Sequence, residues 1–387
     1  MRAMDSPCIR GPGAAAVVLA AACAGATVPY TEPAAPAPTG AVDVSLFLVG
    51  DAGEPDPAGE PTLAALRAAV SAAAGERVVV FLGDNIYPRG LPDSAADDRA
   101  EAERRLTTQL GAVRDSARIL LIPGNHDWAH GGADGWAAVR RQEAFLAARG
   151  AVLLPGGGCP GPAVIDVGTR LRLVLIDTQW WLHGGPRPEG DDGGCVPASP
   201  GGVVDSLRGA LRDAGSRHVA VLGHHTLATG GPHGGHFTWR EHIFPLTEAV
   251  PWLWLPLPVI GSAYPLARQN GWSDQDQSGR RNREMRDSLV AAFADRPPLV
   301  YAGGHEHTVQ VLDGGGARHL IVSGAGRFAH TSHVTTIPGT RFAAATGGFA
   351  RLDVLTDGRV RLGVILADAA GHGEERFSMW LDTSDGR

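Results

Sequence analysis

Short apolar runs rich in Val, Ile and Leu recur along the chain at 44–49, 78–82, 119–122, 171–176, 219–222 and 299–301. Turn or helix signals separate them, so each run predicts a buried strand. Helical periodicity fills two of the gaps, at 63–74 and 97–113. In the second, Leu106, Leu110 and Val113 share one face and the charged residues another. Strands alternating with helices predict an α/β fold. Three later runs, at 320–323, 350–354 and 360–366, make the C-terminal part β-rich and suggest a second sheet. The sequence shows no internal repeat.

Polar residues are not scattered through this pattern; they collect where the strands end. In chain order the ends carry Gly50-Asp51-Ala52-Gly53, Gly83-Asp84-Asn85-Ile86-Tyr87, Gly124-Asn125-His126-Asp127, Gly223-His224-His225 and Gly304-His305-Glu306-His307. Sites in α/β sheets form at the carboxyl ends of strands, so five such clusters can converge on one point. Singly, each has an ordinary explanation: Gly-Asp after a strand makes turns, and His pairs are often structural. Together they supply carboxylate, amide, phenolate and imidazole donors, a nitrogen and oxygen set suited to iron, zinc or manganese.

The ordered blocks Gly-Asp-x-Gly, Gly-Asp-x-x-Tyr, Gly-Asn-His-Asp, Val-x-x-His and Gly-His-x-His resemble the signature of purple acid phosphatases, within the calcineurin-like metallophosphoesterase superfamily. The small, mammalian-type form is the nearest pattern. His233, nine residues after His224, and Ser323-Gly324-Ala325-Gly326 extend the resemblance, which spans roughly residues 43–330. It implies a four-layer sandwich of two mixed β-sheets flanked by helices, and a binuclear metal centre. Asp51, Tyr87 and His307 would hold Fe(III). Asn125, His224 and His305 would hold a divalent ion (Fe, Zn or Mn), and Asp84 would bridge the two.

At the first block most of the superfamily has Asp-x-His. Here Gly53 replaces that histidine and Tyr87 supplies a phenolate, a hard oxygen donor that favours a trivalent ion. The resemblance further implies hydrolysis of phosphate monoesters of small phosphorylated substrates, by in-line attack of metal-bound hydroxide. His126 and His233 would donate the proton to the leaving group and Asp127 would orient His126. His225 would stand behind the ligands or serve structure alone. A phosphodiesterase or nucleotide hydrolase would use the same centre. A non-catalytic exported binding protein of this fold would have lost ligands, and none is missing.

Composition adds limits. The 387 residues carry a net charge of −7, and every Lys/Arg position is arginine; no basic excess suggests nucleic acid as a partner. Arg2 and Arg10 precede a small, apolar run at 13–28, read as a signal peptide or lipoprotein leader over 1–28. Leu19-Ala20-Ala21-Ala22-Cys23 resembles a lipoprotein signal, making Cys23 a candidate lipid anchor. A Pro/Ala-rich linker at 29–42 follows, and the metallophosphoesterase domain occupies 43–387. The expected location is exported: periplasmic, extracellular or membrane-anchored.

Of the four cysteines only Cys159 and Cys195 fall in that domain. In an oxidising compartment they are expected to form a disulfide, contributing roughly 3–4 kcal/mol on a chain-entropy basis. An insert at about 235–296 departs from the compact pattern. Its apolar stretch 251–260 is too broken by proline to be a membrane helix. It reads as a packed loop, a wall of the site or a membrane-docking loop. Trp180 and Trp181 read as core or as a rim of the site, and Arg280, Arg281, Arg283 and Arg286 as a solvated helix face or as contacts to phosphate.

Overall fold

The computed structural model describes residues 34–190, 194–248 and 252–383. The leader, Cys23 and the first part of the linker lie outside the described residues. In chain order the elements begin with β1 (Val42–Val49), α1 (Pro61–Ala72), β2 (Glu76–Phe81), α2 (Arg99–Val113), β3 (Arg118–Leu121), α3 (Gly135–Ala147), β4 (Val152–Leu153), β5 (Ala163–Val167), β6 (Leu171–Leu175) and α4 (Thr178–Leu182). There follow α5 (Pro200–Arg212), β7 (His218–Leu222), α6 (Trp239–Ile243), α7 (Ala263–Gln269), α8 (Arg280–Phe293) and β8 (Val300–Gly303). Six strands complete the chain: β9 (Val309–Asp313), β10 (His319–Ser323), β11 (Thr340–Ala344), β12 (Gly348–Leu355), β13 (Val360–Ala367) and β14 (Gly373–Leu381).

Two seven-stranded mixed sheets result, ordered β14-β13-β12-β1-β2-β3-β4 and β11-β9-β10-β8-β7-β6-β5. In the first, β1 through β4 run parallel and β12 pairs antiparallel with β1. In the second, β6, β7, β8 and β10 run parallel. Strand periodicity sorts the core into layers. Val44, Leu46 and Leu48 of β1 join Leu173 and Leu175 of β6 and Leu222 of β7 in the cluster between the sheets. Phe47 and Val49 face the other way, into a cluster shared with Leu66, Leu106 and Leu110 of the helices. Burial on both faces explains why these strands read as unbroken apolar runs.

Local signals set the helix ends. Pro61 occupies the first turn of α1, and the Glu60 carboxylate accepts from Thr62 N–H, satisfying an otherwise unpaired donor. Ser199 caps α5 in the same way, ahead of Pro200. Helix α1 packs on α2 and on β12–β14, whereas α8 packs on α4 and α5, and Arg172 of β6 donates to the carbonyl of Ala210 in α5. The four-layer sandwich expected from the sequence is therefore present. Among the described residues no helix is long and apolar enough to cross a membrane.

Cys159 and Cys195 form the expected disulfide. Trp180 and Trp181 are both buried, which places them in the core and not on a rim. The arginines of α8 do not reach the strand ends: Arg280 pairs with Glu284, while Arg281, Arg283 and Arg286 donate to backbone carbonyls. The last part of the expected insert, α8, belongs to the outer helical layer, with Met285, Leu289 and Phe293 fully buried.

Candidate metal centre

The strand ends meet as expected, and the chain is strained where they do. Asp51, Asp84 and His305 follow β1, β2 and β8 and adopt left-handed backbone, with φ of 59°, 53° and 65°. For residues with a Cβ this costs roughly 1–2 kcal/mol each, a cost found most often at functional sites. Crowding explains the adjacent glycines. A Cβ on Gly304 would lie 2.5 Å from Asp51 Oδ2, and one on Gly53 would lie 2.5 Å from Ile86 N. No side chain fits at 53 with this backbone, so the histidine expected at that position in related blocks has no room here.

The seven expected ligands fall into two groups. In one, Tyr87 Oη stands 3.1 Å from Asp51 Oδ1 and 3.2 Å from His307 Nε2, and that nitrogen is 3.4 Å from Asp51 Oδ1. In the other, Asn125 Oδ1 is 3.0 Å from both His224 Nε2 and His305 Nδ1, and the two nitrogens are 3.2 Å apart. Asp84 approaches both groups: it lies within 4.8 Å of Asp51 and of His224, with Oδ1 3.4 Å from His224 Nε2 and accepting from His126 N–H at 2.9 Å.

The second group is informative because backbone carbonyls set its tautomers. His224 Nδ1–H donates to Leu82 O and His305 Nε2–H donates to Gln275 O, both at 2.9 Å. His224 Nε2, His305 Nδ1 and Asn125 Oδ1 then present three lone pairs to one another with no proton to share. An ion bonded to nitrogen and oxygen at about 2.1 Å separates its donors by about 3.0 Å in octahedral and about 3.4 Å in tetrahedral coordination. The spacings in both groups fall in that range, so the residues fit a cation at each.

Burial sharpens the case. It raises Asp51 to about 8, opposed by His224 and reinforced by the negative charge of Asp84. Burial and the same carboxylates push Tyr87 well above its usual range. It lowers His305 far below the usual histidine range and, with His233, takes His307 to about 4. Burial would also raise Asp84, but His224 and His126 hold it low. A carboxylate (Asp51) and a phenol (Tyr87) that resist ionisation beside imidazoles (His305 and His307) that resist protonation form a donor set short of positive charge, and bound cations supply it.

His225 does not belong to the donor set. It lies close enough to His224 and His305 to make a possible ligand trio. Its Nε2–H, however, donates to Gln275 Oε1 at 2.8 Å and its Nδ1 accepts from the Thr178 hydroxyl at 2.9 Å. Asp84, which offers a charge and approaches His224, completes the group better. His225 instead fixes Gln275, whose carbonyl fixes His305.

His126 and His233 flank the two groups, each partly open to solvent. His126 Nδ1–H donates to Pro88 O at 2.7 Å, leaving Nε2 directed toward Asp84 Oδ2 at 3.9 Å. The expected pairing of Asp127 with this ring is not present. The Asp127 carboxylate accepts from Gly124 N–H at 2.8 Å, Asn85 N–H at 3.1 Å and Asn85 Nδ2 at 3.0 Å. It thereby staples the Asp84 turn to the Asn125 turn.

His233 is held by residues the sequence did not single out. Its Nδ1–H donates to Asp276 Oδ1 at 2.9 Å, and Arg268 Nε donates to Asp276 Oδ2 at 2.8 Å. Burial alone would raise Asp276, yet Arg268 and His233 keep it low. The residues of the insert nearest the site are therefore polar: Gln275, Asp276 and Gln277 each bond a site histidine or its backbone. A carboxylate close after the Trp-rich stretch was the one signal available, and without the fold nothing linked it to His233.

No protein-family profile and no curated protein matches the sequence. Solved structures do match in shape. Purple acid phosphatase PPD1 from yellow lupin seeds is 13% identical, with a TM-score of 0.54 over 89% of this chain and 55% of its own. GAP50, the anchor in the inner membrane complex of Plasmodium, is 13% identical, with a TM-score of 0.52 over 88% of this chain and 89% of its own. PhoD is 12% identical, with a TM-score of 0.51 over 89% of this chain and 70% of its own. At these identities the likeness is one of fold. The chain has the calcineurin-like metallophosphoesterase fold, two mixed seven-stranded sheets packed between helices.

Proposed function

We propose that the chain is a metal-dependent phosphoesterase acting on phosphate monoesters through an Fe(III) and divalent-ion pair. Fold alone does not carry this, because the same fold serves in a membrane-complex anchor. The observation that carries it is the paired donor set: two groups spaced for coordination and joined by Asp84. When bound, such an ion pair supplies a nucleophile below neutral pH and polarises the phosphoryl oxygens.

The remaining work falls to side chains. Asp84 holds its place between the two groups by accepting from His126 N–H. Tyr87 Oη stands beside Asp51 Oδ1 and His307 Nε2, and as a phenolate it favours a trivalent partner. His126 Nε2 and the His233 ring stand at the open side of the ligands. Protonated, either can deliver a proton to the leaving oxygen, and each has its Nδ1 anchored so that the other nitrogen faces the substrate. Asp276 steadies His233 by an imidazole–carboxylate contact that Arg268 locks in turn.

A panel of phosphomonoesters, phosphodiesters and nucleotides, run with metal analysis of the same sample, tests the proposal. Preferred monoester turnover with iron bound is expected. Preferred diester turnover would overturn monoester specificity, and no turnover with two metals bound would overturn the catalytic reading.

A further inference from the structure

The insert has a second character besides its polar contacts to the site. Among the described residues, most of the large apolar side chains that stand in solvent lie between 239 and 272. Trp252 is 77% exposed, Val259 86%, Ile260 73% and Trp272 71%, with Trp254 and Leu255 about half exposed. Soluble surfaces rarely gather such side chains in one stretch without a partner.

Placement links this ridge to the ligand cluster. Arg268, on α7, reaches Asp276 and through it His233, while Leu266 on the same helix stands in solvent. Trp272 follows directly and packs edge-on against Tyr264 of α7. Three residues later Gln275 accepts from His305. Through Arg268 this short helix is therefore tied to the carboxylate that holds His233, while Leu266 and Trp272 beside that link stand in solvent.

Charge identifies the occupant. Residues 252–273 hold no Asp or Glu in a chain with 41 acidic residues, and the nearby exposed cation, Arg240, lies over the Trp254 ring at 4.2 Å. The exposed side chains of this proline-broken loop are tryptophans and aliphatics. They match a lipid–water interface, where indole rings seat at headgroup level, an arginine meets phosphate and carboxylates are repelled.

We propose that segment 252–272 docks on a bilayer surface and brings the opening of the ligand cluster to the phosphate layer. Substrates are then phosphate esters presented at a lipid surface, a consequence that rests on the phosphoesterase reading; the docking does not.

The test uses the full chain with vesicles of phosphatidylcholine and phosphatidylglycerol carrying brominated acyl chains, and reads quenching of tryptophan emission. This readout needs neither bound metal nor turnover, and an acyl anchor at Cys23 alone would not bring these indoles to the bromines. The parent should be quenched. A combined Val259→Glu and Ile260→Glu variant, altered only at exposed positions, should show roughly tenfold less quenching with unchanged melting temperature and unchanged turnover of a soluble aryl phosphate. An unquenched parent, equal quenching in the variant, or a parent dimer that the variant dissociates in sedimentation would each overturn the proposal.

Discussion

Replacing Asp127 by alanine separates two roles for this carboxylate. In the structure it accepts from Gly124 N–H, Asn85 N–H and Asn85 Nδ2, and it does not touch the His126 ring. All the groups involved are buried except for part of the His126 turn. An orphaned buried donor costs about 1–3 kcal/mol, so three would cost about 3–9 kcal/mol without relaxation. Water entering the vacated volume recovers part of this, leaving about 3 kcal/mol. For a chain of 387 residues, that lowers the melting temperature by roughly 4 °C. Because the staple joins the turns bearing Asp84 and Asn125, metal affinity should fall with it. Calorimetric melting of metal-free protein, followed by metal titration, reads both effects. Were Asp127 instead the partner that orients His126, the alanine variant would melt normally, keep its metals and lose only turnover. That result would refute the staple.

Two further predictions concern the chemistry. Oxidised protein loaded with iron should show a visible phenolate-to-iron charge-transfer band that Tyr87→Phe abolishes; active, metal-loaded and colourless protein would exclude Tyr87 as an iron ligand. His126→Ala and His233→Ala should each lower turnover by roughly a hundredfold while metal analysis still finds two ions per chain, and loss of an ion from either variant would mark the residue as a ligand.

The sequence carried the centre of this protein better than its margins, for physical reasons. Strands buried on both faces, such as β1 and β7, are continuous apolar runs and were expected close to their observed bounds. The strands not expected include the edges β4, β5, β11 and β14: β4 is only two residues long, β5 alternates between half-buried and exposed positions, and the first four residues of β14 are exposed. Interior β9 was missed because Gln310, buried among Thr229 and Thr308, breaks its apolar pattern.

At the site, ligands that end strands were legible because strand, glycine and donor sit together in sequence. The supports of the site histidines were not. Asp276 meets His233 across 43 residues and Gln275 meets His305 across 30, through a segment with no strand to place it. The role expected for Asp127 failed likewise. Adjacency in sequence put it beside His126, but the turn directs its carboxylate to the backbone of two neighbouring loops. Tandem Trp180 and Trp181 offered no sequence signal to decide between core and rim; the cap that Asp177 gives Trp180 N–H turns α4, and both rings, inward.

The central claim is that two ions share Asp84, which lies within 4.8 Å of Asp51 in one group and of His224 in the other. Asparagine at this position keeps the shape and removes the negative charge that offsets repulsion between neighbouring cations. Metal stoichiometry of Asp84→Asn, measured by elemental analysis beside the parent and beside Asp51→Asn, tests this most directly. The account predicts two ions per chain in the parent, fewer than two in Asp84→Asn with a fold-intact circular dichroism spectrum, and a milder loss in Asp51→Asn. An Asp84→Asn protein that retains both ions with near-parent turnover would contradict it.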